Sequence, residues 1–221
     1  MSTPVLPKAL AALILSLTVP ASQAALLFYS DEAAFAQAVN LQGQDDFESA
    51  PWVADTNYAG PVTSQGIAWS AADTLRATSF MPHSGGVALS DVDGSPDQLD
   101  TLTALLDTRA DSFGLWVRAA TRMAFLEFDL LDDNGNVHDS FTRSFFDQWT
   151  FLGFTYDAPI AGLRIHALSN VSPYVDDFIL DDVAYGNATP PTGQVPEPDS
   201  LALLGIGLAA LLAGRRRRTQ A

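Results

Sequence analysis

The order of apolar and polar positions divides the chain into two apolar ends, one short amphipathic segment and a long middle with alternating residues. The amphipathic segment, about residues 30–39, predicts a short helix. Ser30 suits its N-cap position, and the acidic residues that follow suit its first turn. Phe35 and Val39 lie on the face that we expect to be buried. We expect this helix near the start of the folded domain.

Beyond Leu41 the period of the apolar pattern changes to two, which is typical of half-buried β-strands. Along residues 124–130 every second residue is apolar, whereas Glu127 and Asp129 lie on the other face. The turn residues 132–136, with Asn134–Gly135 suited to positive φ, predict a hairpin. The same reasoning predicts strands at 66–70, 86–89, 112–117, 123–131, 137–141, 150–155, 162–168 and 174–185.

These strands predict an all-β domain over residues 25–186. About eight short strands in a segment of this length favour a two-layer antiparallel β-sandwich of the jelly-roll type. An eight-stranded barrel is the alternative arrangement.

The N-terminal apolar stretch predicts a secretory signal peptide over residues 1–24. Lys8 precedes the apolar residues 9–19, Pro20 ends them, and small residues precede a cleavage point between Ala24 and Ala25. The stretch is too short for a comfortable membrane span. We therefore expect signal peptidase to remove it during export.

The C-terminal end has three parts in sequence. A Pro-rich linker, 187–194, precedes a Pro-Glu-Pro motif, and an apolar segment at about 200–214 predicts a transmembrane helix. Such a helix reaches roughly 21 Å, short of the roughly 30 Å hydrocarbon core. The run of arginines Arg215, Arg216, Arg217 and Arg218 predicts a cytoplasmic end, which places the acidic domain outside the inner membrane.

This end, 195–221, resembles the PEP-CTERM sorting signal of exosortase substrates. The resemblance rests on Val195, Pro196, Glu197 and Pro198, followed by the short apolar helix and the terminal arginines. It implies a transient anchor in the inner membrane with the domain in the periplasm, followed by processing by exosortase. It also implies a final place at the cell surface or in the extracellular exopolysaccharide and biofilm matrix of a Gram-negative bacterium.

Charge and composition limit the classes of partner and of chemistry that the domain can have. The 221-residue chain has 26 acidic and 11 basic residues, and residues 25–194 hold 24 acidic residues against six arginines. This excess of negative charge excludes nucleic acid as a partner, because phosphate binding needs clustered cations. The chain has no Cys, which excludes disulfides, Cys-ligated metal centres and a Cys nucleophile. Cations and neutral polymers are partners compatible with a negatively charged domain.

A second resemblance lies within the domain. The segments Asp46-Phe47-Glu48-Ser49 with Trp52, His83 to Leu89, and Leu180 to Val183 are similar to the outline of carbohydrate-binding and galactose-binding-like jelly rolls. That resemblance implies a structural Ca²⁺ held by Glu48 and Asp181, with Asp182 as a further candidate. Carboxylate oxygens are the ligands that Ca²⁺ takes. The alternative is that the aspartates of the last strand, Asp181 and Asp182 among them, are strand-terminal or edge residues in water.

Two hypotheses for molecular activity follow besides a noncatalytic surface role. Exposed aromatic faces suit stacking on sugars, which makes Trp52 and Trp149 candidates for glycan binding, whereas Trp116 lies in an apolar strand typical of a core. The leading hypothesis is a noncatalytic exported protein, the alternative is a calcium-stabilised carbohydrate-binding module, and a surface hydrolase comes third. We predict no enzyme, because the sequence lacks a nucleophile elbow and a His-Glu-x-x-His helix.

Overall fold

A computed structural model describes residues 26–91, 100–120, 122–168 and 178–189. All of them except Thr189 belong to one unit of the chain, which ends at Ala188. The predicted signal peptide and its cleavage point, the sorting motif, the apolar segment 200–214 and the arginine run lie outside the described residues. No helix in the described ranges has the length and hydropathy needed to span a membrane.

The described residues form twelve strands and one helix. In chain order these elements are β1 (Leu26–Tyr29), α1 (Glu32–Ala38), β2 (Val39–Asp45), β3 (Thr56–Tyr58), β4 (Val62–Ser64), β5 (Ile67–Ala71), β6 (Leu75–Thr78), β7 (Ala88–Asp91), β8 (Thr101–Ala119), β9 (Met123–Leu131), β10 (Val137–Phe146), β11 (Thr150–Ala167) and β12 (Phe178–Ala188).

The strands pair antiparallel in one curled sheet, with the main order β10-β9-β11-β8-β12-β7-β6-β3. The long strands β8 and β11 each serve two sets of neighbours. The first part of β8 pairs with β5 and with the end of β11, while its second part pairs with β12 and with the start of β11. Register shifts in β11 after Thr155 mark where the sheet bends. The all-β, antiparallel prediction is confirmed, and the strand count is twelve among the described residues instead of about eight.

The predicted helix and the predicted hairpin are both present, and the helix differs from its prediction in its N-cap. Helix α1, Glu32–Ala38, lies within the predicted range 30–39, but its N-cap is Asp31 instead of Ser30. The Asp31 carboxylate accepts a hydrogen bond from the Ala34 N–H at 2.8 Å. Strands β9 and β10 form the predicted hairpin. In its turn Gly135 has positive φ, at 76°, and the Asp132 carboxylate accepts the N–H groups of Asn134 and Asn136 at 2.8 Å.

A buried carboxylate, Asp45, organises the core beside the candidate site. Asp45 is fully buried at the end of β2, and its Oδ2 accepts a hydrogen bond from the Trp69 indole at 3.0 Å. Its Oδ1 accepts the Trp52 indole N–H at 3.2 Å and the Phe47 N–H at 3.1 Å. Phe47 adopts positive φ, at 59°, and directs the chain from the core to Glu48.

Candidate functional site

The predicted acidic residues converge on one short piece of chain, residues 83–87, which lies between β6 and β7. Glu48 Oε1 accepts hydrogen bonds from the N–H groups of Gly86 and Val87, both at 2.8 Å. Asp181 Oδ2 accepts the N–H of His83 at 2.7 Å and that of Ser84 at 3.1 Å. Two carboxylates that are far apart in the sequence therefore hold the two ends of the 83–87 segment.

Gly85 makes the contact with Glu48 possible. Its φ is +49°, a conformation that side-chain-bearing residues rarely adopt. The Glu48 carboxyl group also occupies the space where a Cβ of residue 85 would lie. A side chain at this position would therefore adopt a disfavoured backbone conformation and would also displace the Glu48 carboxyl group.

Asp181 is an ionisable group in an unfavourable place for a charge. Its side chain is fully buried in β12, opposite Trp116 of β8. Burial, with a further contribution from the negative charge of Asp182, raises the pKa of Asp181 to about 7, against hydrogen bonds from backbone N–H groups that lower it. Asp181 therefore takes up a proton close to neutral pH.

Asp182 links the acidic pair to a group of aromatic rings. Its φ is +46°, which turns its side chain back towards the 83–87 segment. Asp182 Oδ2 lies 2.7 Å from Nδ1 of His83, and Oδ1 accepts the Ser84 hydroxyl at 2.9 Å. The His83 ring stacks on Trp116, with 3.8 Å between centroids, and meets Trp149 edge-on at 5.7 Å. We call His83, Trp116, Trp149 and Asp182 the His83 cluster.

The three predicted calcium ligands are thus brought to the same segment, but in this structure they act as hydrogen-bond acceptors. Asp181 uses both carboxylate oxygens in this way, since its Oδ1 accepts the Asp182 N–H at 2.8 Å. Within the described ranges, no group of three or more His, Asp or Glu side chains is arranged to hold a metal ion. Oε2 of Glu48 accepts no hydrogen bond from the described residues. The calcium site stays a prediction.

The prediction for Trp52 is wrong. Trp52 is only 6% exposed, and its ring packs edge-on against Phe47 and Tyr58 at 5.5 Å. Its indole N–H is used by Asp45 in the core. Trp52 therefore has no free face for a sugar.

Trp149 is placed as a surface residue with a fixed orientation. It is half-buried, and its indole N–H donates to the Met81 carbonyl at 3.1 Å. The Arg118 guanidinium carbon lies 5.8 Å from its ring centroid. Phe80 and Met81 beside it are 50% and 52% exposed. Trp149 is therefore partly exposed, and its role in glycan stacking stays a prediction.

His83 and Trp116 are the members of the cluster that sequence reasoning missed. Trp116 was expected in the core, yet it is half-buried, with one face covered by His83 and its indole N–H 3.3 Å from Glu32 Oε2. The signal that could have found it is the alternation of β8 from Leu115 onwards, where the buried residues Leu115 and Val117 lie on either side of Trp116.

The family comparison concerns the C-terminal end. Residues 194–218 match the PEP-CTERM protein-sorting motif. The matched PEP-CTERM segment contains the Pro-Glu-Pro residues, the apolar stretch and the arginine run. No curated protein matches the chain.

Solved structures that resemble the domain include carbohydrate-binding modules. A family 11 carbohydrate-binding module from Clostridium thermocellum, in complex with a β-1,3-1,4-mixed-linked tetrasaccharide, is 15% identical over 66% of this chain and 96% of its own, with a TM-score of 0.39. A mutant of a family 29 carbohydrate-binding module is 12% identical over 62% of this chain and 97% of its own, with a TM-score of 0.37.

An arabinose-bound α-L-arabinofuranosidase, MgGH51, is 12% identical over 67% of this chain, with a TM-score of 0.40. The chain spans about a quarter of that enzyme's length, 26%. At these TM-scores the similarities carry no conclusion about function.

Proposed function

We propose that the chain is an exported, noncatalytic surface protein that exosortase sorts through its C-terminal motif. The observation that carries this proposal is the match of residues 194–218 to the PEP-CTERM motif. Signal peptidase would remove residues 1–24, and the apolar segment 200–214 would hold the precursor in the inner membrane with the domain in the periplasm. The processed protein would then reach the cell surface or the exopolysaccharide matrix.

Processing in cells tests this proposal. An epitope-tagged chain is expressed in a host with an exosortase and in the same host lacking the enzyme, and the membrane and extracellular fractions are compared. We expect a shorter, extracellular form only when exosortase is present, and we expect Glu197→Ala to keep the chain in the membrane. Identical fractionation in both hosts would contradict the proposal.

The contacts of Ser84 support the noncatalytic part of the proposal. In a Ser-His-Asp triad the histidine lies between the serine and the carboxylate, so that it can take the serine proton. Here Asp182 accepts a hydrogen bond from the Ser84 hydroxyl and also contacts the His83 ring. The carboxylate lies between the other two residues, so this group lacks the serine–histidine contact of a triad.

Carbohydrate binding by a jelly-roll-like domain is the second candidate function. The specific observation in its favour is the fixed, half-buried Trp149 ring beside the exposed side chains of Phe80 and Met81. Replacement of Trp149 by Ala should weaken retention on polysaccharide, whereas Phe125→Ala, at a 43% exposed ring elsewhere, should not. Equal retention of both variants and the wild type would remove Trp149 from the candidates.

Calcium is proposed as a structural ion for the same domain. Support comes from the convergence of Glu48, Asp181 and Asp182 on the 83–87 segment, where a cation would relieve the cost of the buried Asp181 charge. The thermal midpoint should rise more in Ca²⁺ than in Mg²⁺ at matched ionic strength, relative to EDTA. Glu48→Ala should abolish the difference. Equal midpoints in the two cations would contradict a calcium site.

A further inference from the structure

An open cleft lies between the start of the domain and the β10–β11 hairpin, away from the 83–87 segment. It has a volume of about 310 Å³, at the lower end of the range for small-ligand sites. Its wall on the β1 side includes Phe28, Tyr29 and Ser30, and its opposite wall includes Arg143, Ser144 and Thr150. Aromatic rings, four hydroxyl-bearing side chains and one guanidinium group therefore share the cleft.

Arg143 is the charged residue of the cleft, and its guanidinium group is held in place by stacking. The guanidinium carbon lies 4.0 Å from the ring centroid of Phe28 and 5.7 Å from that of Phe141. One N–H of Arg143 donates to the Thr142 carbonyl at 3.0 Å. Stacking leaves the edge of the planar group, with its other N–H donors, available for hydrogen bonds.

Arg143 differs from three arginines of this acidic domain and, like Arg118, has only backbone carbonyl acceptors among the described residues. Arg76, Arg109 and Arg164 each form an ion pair with an aspartate. Arg143 makes no ion pair within the part of the chain that the structure describes, and no carboxylate lines the cleft. Its donors therefore have no competing acidic partner there.

The lining selects a ligand with both an apolar face and many hydroxyl groups. Phe28 is 36% exposed, with Arg143 over one face of its ring and Phe141 in edge-on contact, so its remaining exposed surface gives the cleft an apolar wall. The hydroxyls of Ser30, Ser144 and Thr150 donate and accept hydrogen bonds, as sugar hydroxyls require. A purely apolar ligand would leave the guanidinium and hydroxyl groups without partners.

Charge decides between neutral and acidic glycans. Residues 25–194 carry 24 acidic residues against six arginines. A polyanion would be repelled by the field of this domain, and one arginine is too little to reverse that repulsion. A neutral polysaccharide would not be repelled by the negative charge of the domain.

We propose that this cleft is a binding site for a neutral polysaccharide, in which Arg143, held by the Phe28 ring, donates hydrogen bonds to sugar hydroxyl groups and the serine and threonine hydroxyls of the cleft complete the contacts. The proposal rests on the carbohydrate-binding candidate function for its ligand class, but it places the site at β1 and β10 instead of at Trp149. The two locations share no residue, so separate variants distinguish them.

Affinity electrophoresis of the full-length chain, in a polyoxyethylene detergent that contains no sugar, tests the proposal. The gels contain dextran, galactomannan, β-1,3-glucan or, as the acidic comparator, alginate. We expect retardation of the wild type by at least one neutral polymer and none by alginate. Absence of retardation by all three neutral polymers, or retardation by alginate alone, would overturn the proposal.

Variants then locate the site. Arg143→Ala should weaken binding at least about tenfold, the effect of losing a hydrogen bond from a charged donor. Phe28→Leu, which keeps apolar bulk and removes the ring, should also weaken it. Arg122→Ala removes the same charge from an exposed position outside the cleft and should bind like the wild type.

The pattern across variants separates this site from the Trp149 candidate. The cleft predicts that Trp149→Ala retains binding while Arg143→Ala loses it. If Arg143→Ala binds as well as the wild type, or if only Trp149→Ala loses binding, the proposed cleft site is wrong. Neither result would affect the export proposal. Unchanged thermal midpoints of Arg143→Ala and Arg122→Ala show that loss of binding is not loss of folding.

Discussion

The buried carboxyl group of Asp181 should make the domain more stable in mild acid than in mild base. Its pKa is about 7 in the folded protein, whereas the ordinary value of 3.8 applies in the unfolded chain. Between these values the folded state binds a proton that the unfolded state has lost, so the free energy of unfolding falls as the pH rises. The stabilisation is complete below the unfolded pKa and is lost as the pH rises through the folded one.

The magnitude follows from the two pKa values. At about pH 5 Asp181 is protonated in the folded state and ionised in the unfolded state, while at about pH 8 it is ionised in both. The corresponding loss of unfolding free energy is about 3 kcal/mol. Burial also raises the pKa values of Asp45 and Asp91, which adds a change of the same sign.

Urea unfolding in EDTA at several pH values between about 5 and 8 measures this dependence. EDTA is present because a bound cation would favour the ionised form of Asp181. Asp181→Asn cannot ionise, so we expect it to lose most of the slope. Asp147→Asn, at an exposed position, should keep the wild-type slope.

Two results would refute this reasoning. Wild-type stability that is flat or rises with pH over this range would show that Asp181 does not carry a raised pKa. A slope in Asp181→Asn equal to that of the wild type would assign the pH dependence to other groups.

Three further changes test the packing around the site and at the sheet edge. In urea unfolding, Gly85→Ala should lower the free energy of unfolding by at least about 1 kcal/mol, because residue 85 has positive φ and contacts Glu48. Gly60→Ala should be nearly neutral, because a Cβ at residue 60 would have no atom within 4 Å. Asp45→Ala leaves two indole N–H groups and one backbone N–H without their acceptor, and should cost about 3–5 kcal/mol in the same assay. Strand β10 pairs with β9 on one side only, and the Asp139 carboxylate accepts the backbone N–H of Ser140. Asp139→Ala frees this N–H, so light scattering should show increased self-association. Unchanged scattering would show that Asp139 does not protect this strand.

Elements with a clear local signal could be predicted from the sequence. The β9–β10 hairpin combines alternation with a turn whose residues suit positive φ, and both features act within a few residues of each other. Strands β1, β3, β4 and β6 have only three or four residues, too few for a period of two to be recognised.

The length of β8 and β11 could not be predicted for a different reason. The sequence indicated 112–117 alone in the first strand, and it separated 150–155 from 162–168 in the second. Each strand in fact runs continuously through the bend, because its two parts pair with different neighbours. Such pairing depends on the whole sheet and leaves no periodic signal in the strand itself.

The candidate site shows the same limit. Glu48, Asp181 and Asp182 were named from a resemblance, and their meeting at the 83–87 segment depends on contacts across 38 to 99 residues of sequence. Trp52 is buried because its indole N–H donates to Asp45, an acidic residue in the core. No sequence pattern indicates that Asp45 is buried. The segment from His83 to Leu89 is part of the same resemblance, but the stacking of His83 on Trp116 depends on the pairing that brings Trp116 opposite Asp181.

The most direct test of the central claim is the intact mass of the protein recovered from outside the cells, compared between a host with exosortase and one without it. The account predicts a chain that begins at Ala25 and ends near residues 195–198, without the arginine run, and only in the host with exosortase. Recovery of an extracellular chain that retains Arg215 to Arg218, or of the same shortened chain in both hosts, would contradict it.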